Sequence, residues 1–269
     1  MDRYELIWEY QSAINEIYTQ ENLSCLRGLD NKCFINNRQI VSSFFEVAGK
    51  YKSNKDCIEL IDEFIFISDE IMYFTAQLFL HKPYINNPLD QEVFINESSS
   101  LFPNNQNIAA KRYFMFVDIT FEKIYNFWNR VGNLIALFFQ EKFKANEKIY
   151  FDRAVDKVPV EFHEIEGYKR LKHFRENEYK TMNGKRKDIV HNISLDTVFR
   201  QQHIENATNR DEMKKWFDEI ISFAEYFKTQ MLYTIEGFDN TLSFLEEVEK
   251  IKCQQQLETQ TTKTEPPSA

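Results

Sequence analysis

The spacing of apolar residues constrains this chain more than any other feature. Between residues 108 and 143, Tyr113, Val117, Phe121, Ile124, Trp128, Val131, Ile135 and Phe138 recur every three or four positions. That spacing gathers them on one face of a helix and would scatter them over both faces of a strand. Only six Gly and six Pro interrupt 269 residues, too few turn formers for a many-stranded sheet. The predicted class is therefore all-α, an up-down helical bundle, and a composition that is 43% hydrophobic with 25 Phe can fill its core.

The same reading predicts helices over 2–19 and 38–51, then one opened by Asn54 as N-cap and stopped before Pro83. Residues 83–107, with three prolines and the Ser98 to Ser100 run, read as an irregular surface loop. After the 108–143 helix and a break at 146–159, a basic helix is expected over 161–181 and ended by Asn183 and Gly184. A short helical piece follows at 185–191, then a polar stretch to Asn209. A last helix, capped by Asn209, breaks at Gly237 and resumes over 238–251. The Gln, Thr and Pro of 253–269 cannot bury a core, so a disordered tail is expected there.

Cys25, Cys33, Cys57 and Cys253 form no CxxC pair, and Met1 to Glu5 lack the pattern of a signal peptide. A cytoplasmic chain with reduced thiols is the expectation. The longest apolar stretch, 64–80, carries Asp69 and Glu70 and is too polar to span a bilayer, so no membrane partner is expected. Net charge is −9, which argues against indiscriminate coating of nucleic acid. Yet residues 169–187 hold eight basic residues against two acids, a local patch suited to a phosphate-bearing ligand.

Glycine-rich phosphate loops, GxSxG, HExxH and EF-hand patterns are all absent, and the cysteines and histidines are too scattered to ligate zinc. No metal and no cofactor is expected. What remains is Arg186 and His191 with four residues between them, within the run Lys185 to Asn192. This segment, behind the basic helix and ahead of a long amphipathic one, resembles the motif of the HEPN superfamily: an Arg, four to six residues, then a His. In many members the residue after the Arg is Asn, Asp or His, whereas here it is Lys187, with the acid one place later at Asp188.

The resemblance implies a HEPN-like core over 106–252, with residues 1–105 as an N-terminal helical extension and connecting loop packed on it. It also implies a metal-independent endoribonuclease, in a toxin-antitoxin or phage-defence setting, whose active site forms across a homodimer, with an antitoxin or other regulatory protein as a further partner. RNA carries its own nucleophile, the 2′-hydroxyl. A side chain that titrates at about pH 6.5 can manage its proton, and a guanidinium can hold the phosphate oxygens. His191 and Arg186 would fill those catalytic roles, supported by Asp188, Lys187 and Asn192, with Lys185, Lys180, Arg175 and Lys172 on flanking phosphates of the RNA. Residues five apart on a helix differ by about 140° in direction, consistent with a site that needs two copies of the chain. Two other readings stay open: a HEPN-like module that binds RNA or a nucleotide without cutting it, and a helical scaffold without chemistry.

Overall fold

Side-chain oxygens open several of the helices. The Gln39 side chain accepts from the Ser42 amide, Ser53 from Asp56, Asn107 from Ala110 and Ser194 from Thr197, each satisfying a first-turn N–H that has no helical partner. In the computed structural model these caps precede α2 (Ile40–Ala48), α3 (Asn54–His81), α4 (Ile108–Phe138) and α8 (Leu195–Asn206), in a series that begins with α1 (Arg3–Gln20). The others are α5 (Phe151–Asp156), α6 (Glu166–Phe174), α7 (Lys180–His191) and α9 (Arg210–Thr262). The structure describes residues 3–97, 99–144, 146–191 and 194–262, except for the side chains of 190, 191 and 258–262.

The class is all-α. Two antiparallel hairpins, β1 (Phe34–Ile35) with β2 (Arg38–Gln39) and β3 (Val93–Asn96) with β4 (Ser99–Leu101), are the sheets among the described residues. Phe34 lies opposite Gln39 and Val93 opposite Leu101. Asn36 and Asn37 turn the first hairpin with φ of 49° and 63°, a conformation Asn tolerates better than most residues.

The spine is the antiparallel pair α3 and α4, tied at its edge by Lys123 to Glu70 at 2.6 Å and Arg130 to Glu63 at 2.7 Å. Along it runs α9, which also packs on α2, α6 and α8. Phe64 lies 4.7 Å from Phe238 and 5.5 Å from Phe127, ring centre to ring centre, and one apolar cluster extends from Ile14 to Val248. Each such phenylalanine contributes about 1.5–3 kcal/mol by leaving water. Residues of the N-terminal third thus share one core with the C-terminal helices. No helix among the described residues is long and apolar enough to cross a membrane.

Several boundaries differ from those expected. Ser53, not Asn54, caps α3. The 83–107 stretch contains the β3–β4 hairpin, the break after α4 holds α5, and the polar stretch before Asn209 forms α8. Gly184 does not end a helix but sits exposed inside α7, with open space where a Cβ would stand. Nor does Gly237 break α9: a Cβ there would come within 2.2 Å of Cη2 of Trp128, so the glycine answers to packing. Residues 253–262, expected in a disordered tail, continue α9.

Candidate functional site

Arg175–Tyr179 forms a π turn that joins α6 to α7, so 166–191 is one helical rod with a single irregularity. Such turns hold one residue more than an α turn and rotate the helix C-terminal to them. Beyond it, Tyr179, Met182 and Arg186 share the buried face, at three- and four-residue spacing. This carries a charged side chain into the packing between α7 and α4.

Arg186 is 6% exposed. Its guanidinium stacks on the Tyr125 ring, 3.7 Å from the centroid. Nη1 donates to Glu122 Oε1 and Nε to Asn183 Oδ1, both at 3.3 Å. Glu122 and Tyr125 lie one turn apart on α4, so one helix supplies both the ring beneath the guanidinium and the carboxylate beside it. The neighbouring Lys185 turns the other way, its ammonium 4.9 Å from the Tyr226 ring centre on α9. Burial pushes the Tyr226 phenol up, so its hydroxyl keeps its proton throughout the physiological range.

The remaining expected site residues are dispersed. The side chain of His191 and the whole of Asn192 lie outside the described residues, although the backbone of His191 closes α7. Lys187 and Asp188 are exposed and form no ion pair with one another or with any other described residue. Lys180 is likewise exposed and without an ion pair among the described residues. Lys172 meets Asp156 at 2.7 Å and Glu176 at 3.5 Å, and Arg175 also pairs with Asp156. The hydrogen bond from Lys172 to Asp156 holds the ammonium above its ordinary value. With Lys169 on Glu164 and Arg170 on Glu166, much of the basic run is neutralised by acids of its own chain.

Sequence reasoning missed Glu122, Tyr125 and Asn183 as partners of Arg186. It also missed Asp118, whose carboxyl is pushed up to about 6 by burial, with a further contribution from Asp196 on α8. A signal for three of these existed: Asp118, Glu122 and Tyr125 fall at i, i+4 and i+7, one polar line along a mostly apolar helix. Three of the other histidines are held by backbone carbonyls. His81 bonds the Gln77 carbonyl, His203 the Phe102 carbonyl and His163 that of Val158, while His173 is exposed beside Asn177. No group of three or more His, Cys, Asp or Glu among the described residues is placed to hold a metal ion.

Comparison with known proteins returns no relative: no family model, no curated protein and no solved structure matches this chain.

Proposed function

We propose that this chain is a metal-independent endoribonuclease of the HEPN type, acting through Arg186 and His191 contributed by two copies of the chain. His191 manages the proton of the attacking 2′-hydroxyl or the leaving oxygen, and Arg186 stabilises charge developing on the phosphorane. The products carry 2′,3′-cyclic phosphate and 5′-hydroxyl ends.

The observation that carries this reading is the state of Arg186. Burying a guanidinium is costly, and here it is offset by an aromatic ring and two long hydrogen bonds. Nη2 makes no hydrogen bond to a described residue, which leaves one arm of the fork for a phosphate oxygen. A rigid cation with donors to spare is what a developing oxyanion requires.

A second reading, binding of RNA or a nucleotide without cleavage, is favoured by Glu122, whose carboxylate already claims Nη1. One experiment separates the two. Labelled RNA is incubated with the protein in EDTA beside the His191→Ala and Arg186→Met variants, and both product ends and bound RNA are measured. Cyclic-phosphate products lost in both variants support the nuclease; salt-sensitive binding lost in Arg186→Met with no product in any sample selects the binding module. Equal cleavage by all three proteins rules out Arg186 and His191 as the catalytic pair.

A further inference from the structure

Helices α6 and α9 run antiparallel, touch at one end and are held apart at the other. Where they touch, a Cβ on Gly167 would stand 2.8 Å from the Asn240 carbonyl oxygen. About two turns further along each helix, Phe174 and Tyr233 come between them, ring centres 5.5 Å apart. A cleft of about 380 Å³ opens there, within the size range of small-molecule sites. Both rings line it and both are half-buried, so each offers surface to the cleft. Trp128, itself fully buried, stacks behind Phe174 at 4.2 Å and fixes that ring in place.

The charges around these rings are unbalanced. The two cations on the rim are already taken, Lys169 by Glu164 at 2.8 Å and Arg170 by Glu166 at 3.0 Å. Glu178 on the rod and Glu236 on α9 also line the cleft, one half-buried and the other exposed, and neither has an ion pair among the described residues. Their oxygens are open to solvent, as is the Tyr233 hydroxyl. Two carboxylates on facing walls, with aromatic rings between them, favour a positive charge in the space they enclose. Hard metal ions want six or more oxygens, which the cleft does not offer, whereas its apolar floor suits a cation that carries hydrocarbon.

We propose that this cleft binds a small aliphatic ammonium ion. The hydrocarbon part lies on Phe174 and Tyr233, and the charged nitrogen sits against these rings within reach of Glu178 and Glu236. Aromatic side chains joined with carboxylates are the elements by which proteins hold organic cations. The site uses none of the residues assigned to RNA and does not rest on the cleavage reading. The same chemistry is presented by a quaternary ammonium ion, which one carboxylate satisfies, and by a diamine, whose two nitrogens would engage both.

The test is calorimetric titration of the full chain with choline, putrescine and spermidine, at low salt and again at about 150 mM. The variants are Glu178→Gln, Tyr233→Leu and Tyr233→Phe, beside Glu205→Gln, which removes one exposed charge outside the cleft. That control matters because a chain of net charge −9 attracts any cation weakly. The expected result is saturable binding that weakens at least about tenfold in Glu178→Gln and Tyr233→Leu and is kept in Tyr233→Phe and Glu205→Gln. Retention in Tyr233→Phe shows that the ring, and not a collapsed fold, decides the loss in Tyr233→Leu. Preference for choline identifies a quaternary ammonium ligand, and preference for putrescine or spermidine a diamine or polyamine. No saturable binding of any probe at about 10 mM, or equal weakening in Glu178→Gln and Glu205→Gln, overturns the proposal.

Discussion

Replacing Arg186 by Met tests whether the fold needs this side chain or merely holds it. Methionine keeps an unbranched stem of similar length to lie on the Tyr125 ring and removes the charge from a position only 6% exposed. The losses are the stacking of a desolvated cation on an aromatic face, about 1–2 kcal/mol, and two hydrogen bonds whose 3.3 Å length places them near about 0.5–1 kcal/mol each. Against these stands the relief of a guanidinium that is out of water while its partner Glu122 remains 39% exposed at the side chain, a contribution of several kcal/mol. The balance is close to zero. Arg186→Met should therefore stay within about 1 kcal/mol of the parent in a denaturant titration, which is a shift of only about 2–4 °C in Tm for a chain of this size. RNA binding or cleavage in the same preparation should fall to background. A variant destabilised by more than about 3 kcal/mol would refute the reasoning, because the arginine would then be a structural brace between α7 and α4.

Two further substitutions probe the frame around the site. In Gly237→Ala the new Cβ meets Trp128, which cannot retreat because its ring stacks on Phe174 at 4.2 Å. Overpacking of about 1–3 kcal/mol outweighs the gain of about 1 kcal/mol in helix propensity, so the variant should melt below the parent, and a higher Tm would contradict the packing. Asp118, pushed up from 3.8 to about 6, favours its protonated form in the folded state, so its contribution to stability is lost as pH rises through about 6. At face value the shift is worth about 3 kcal/mol, cut to about 1–2 kcal/mol by the solvent that reaches a half-buried carboxyl. Asp118→Asn should flatten that decline in urea titrations between about pH 4 and 7, and a parallel decline in both proteins would discount Asp118.

The long helices are legible in the sequence because each carries its own evidence. The apolar line of α4 needs no knowledge of its partners, and the prolines near residues 83 and 103 bracket the connection before it. The glycines mislead for a physical reason. Gly184 and Gly237 look alike as helix breakers, but what retains Gly237 is the edge of Trp128 from a different helix, a fact no local window contains. Helix α8 reads as a polar stretch, although Leu195, Phe199 and His203 fall at i, i+4 and i+8 and all are buried. At the site, the spacing singles out Arg186 but gives no sign of its burial. Glu122, which takes its Nη1, stands 64 residues earlier in the chain, and the face Arg186 occupies depends on a π turn that leaves no mark in the apolar pattern.

That π turn makes the location of the guanidinium a matter of counting. Loss of one codon within Arg175–Tyr179 would remove the residue that the turn holds in excess, so 166–191 would close into uninterrupted α-helix with Arg186 still on the face that meets α4. The same loss between Lys180 and Arg186, where the helix is regular, would instead swing the arginine by about 100° and take it off the Tyr125 ring. The π turn is thus the one stretch of the rod that can lose a residue without moving this cation away from α4, and related chains shorter by one residue here are expected to keep the pairing.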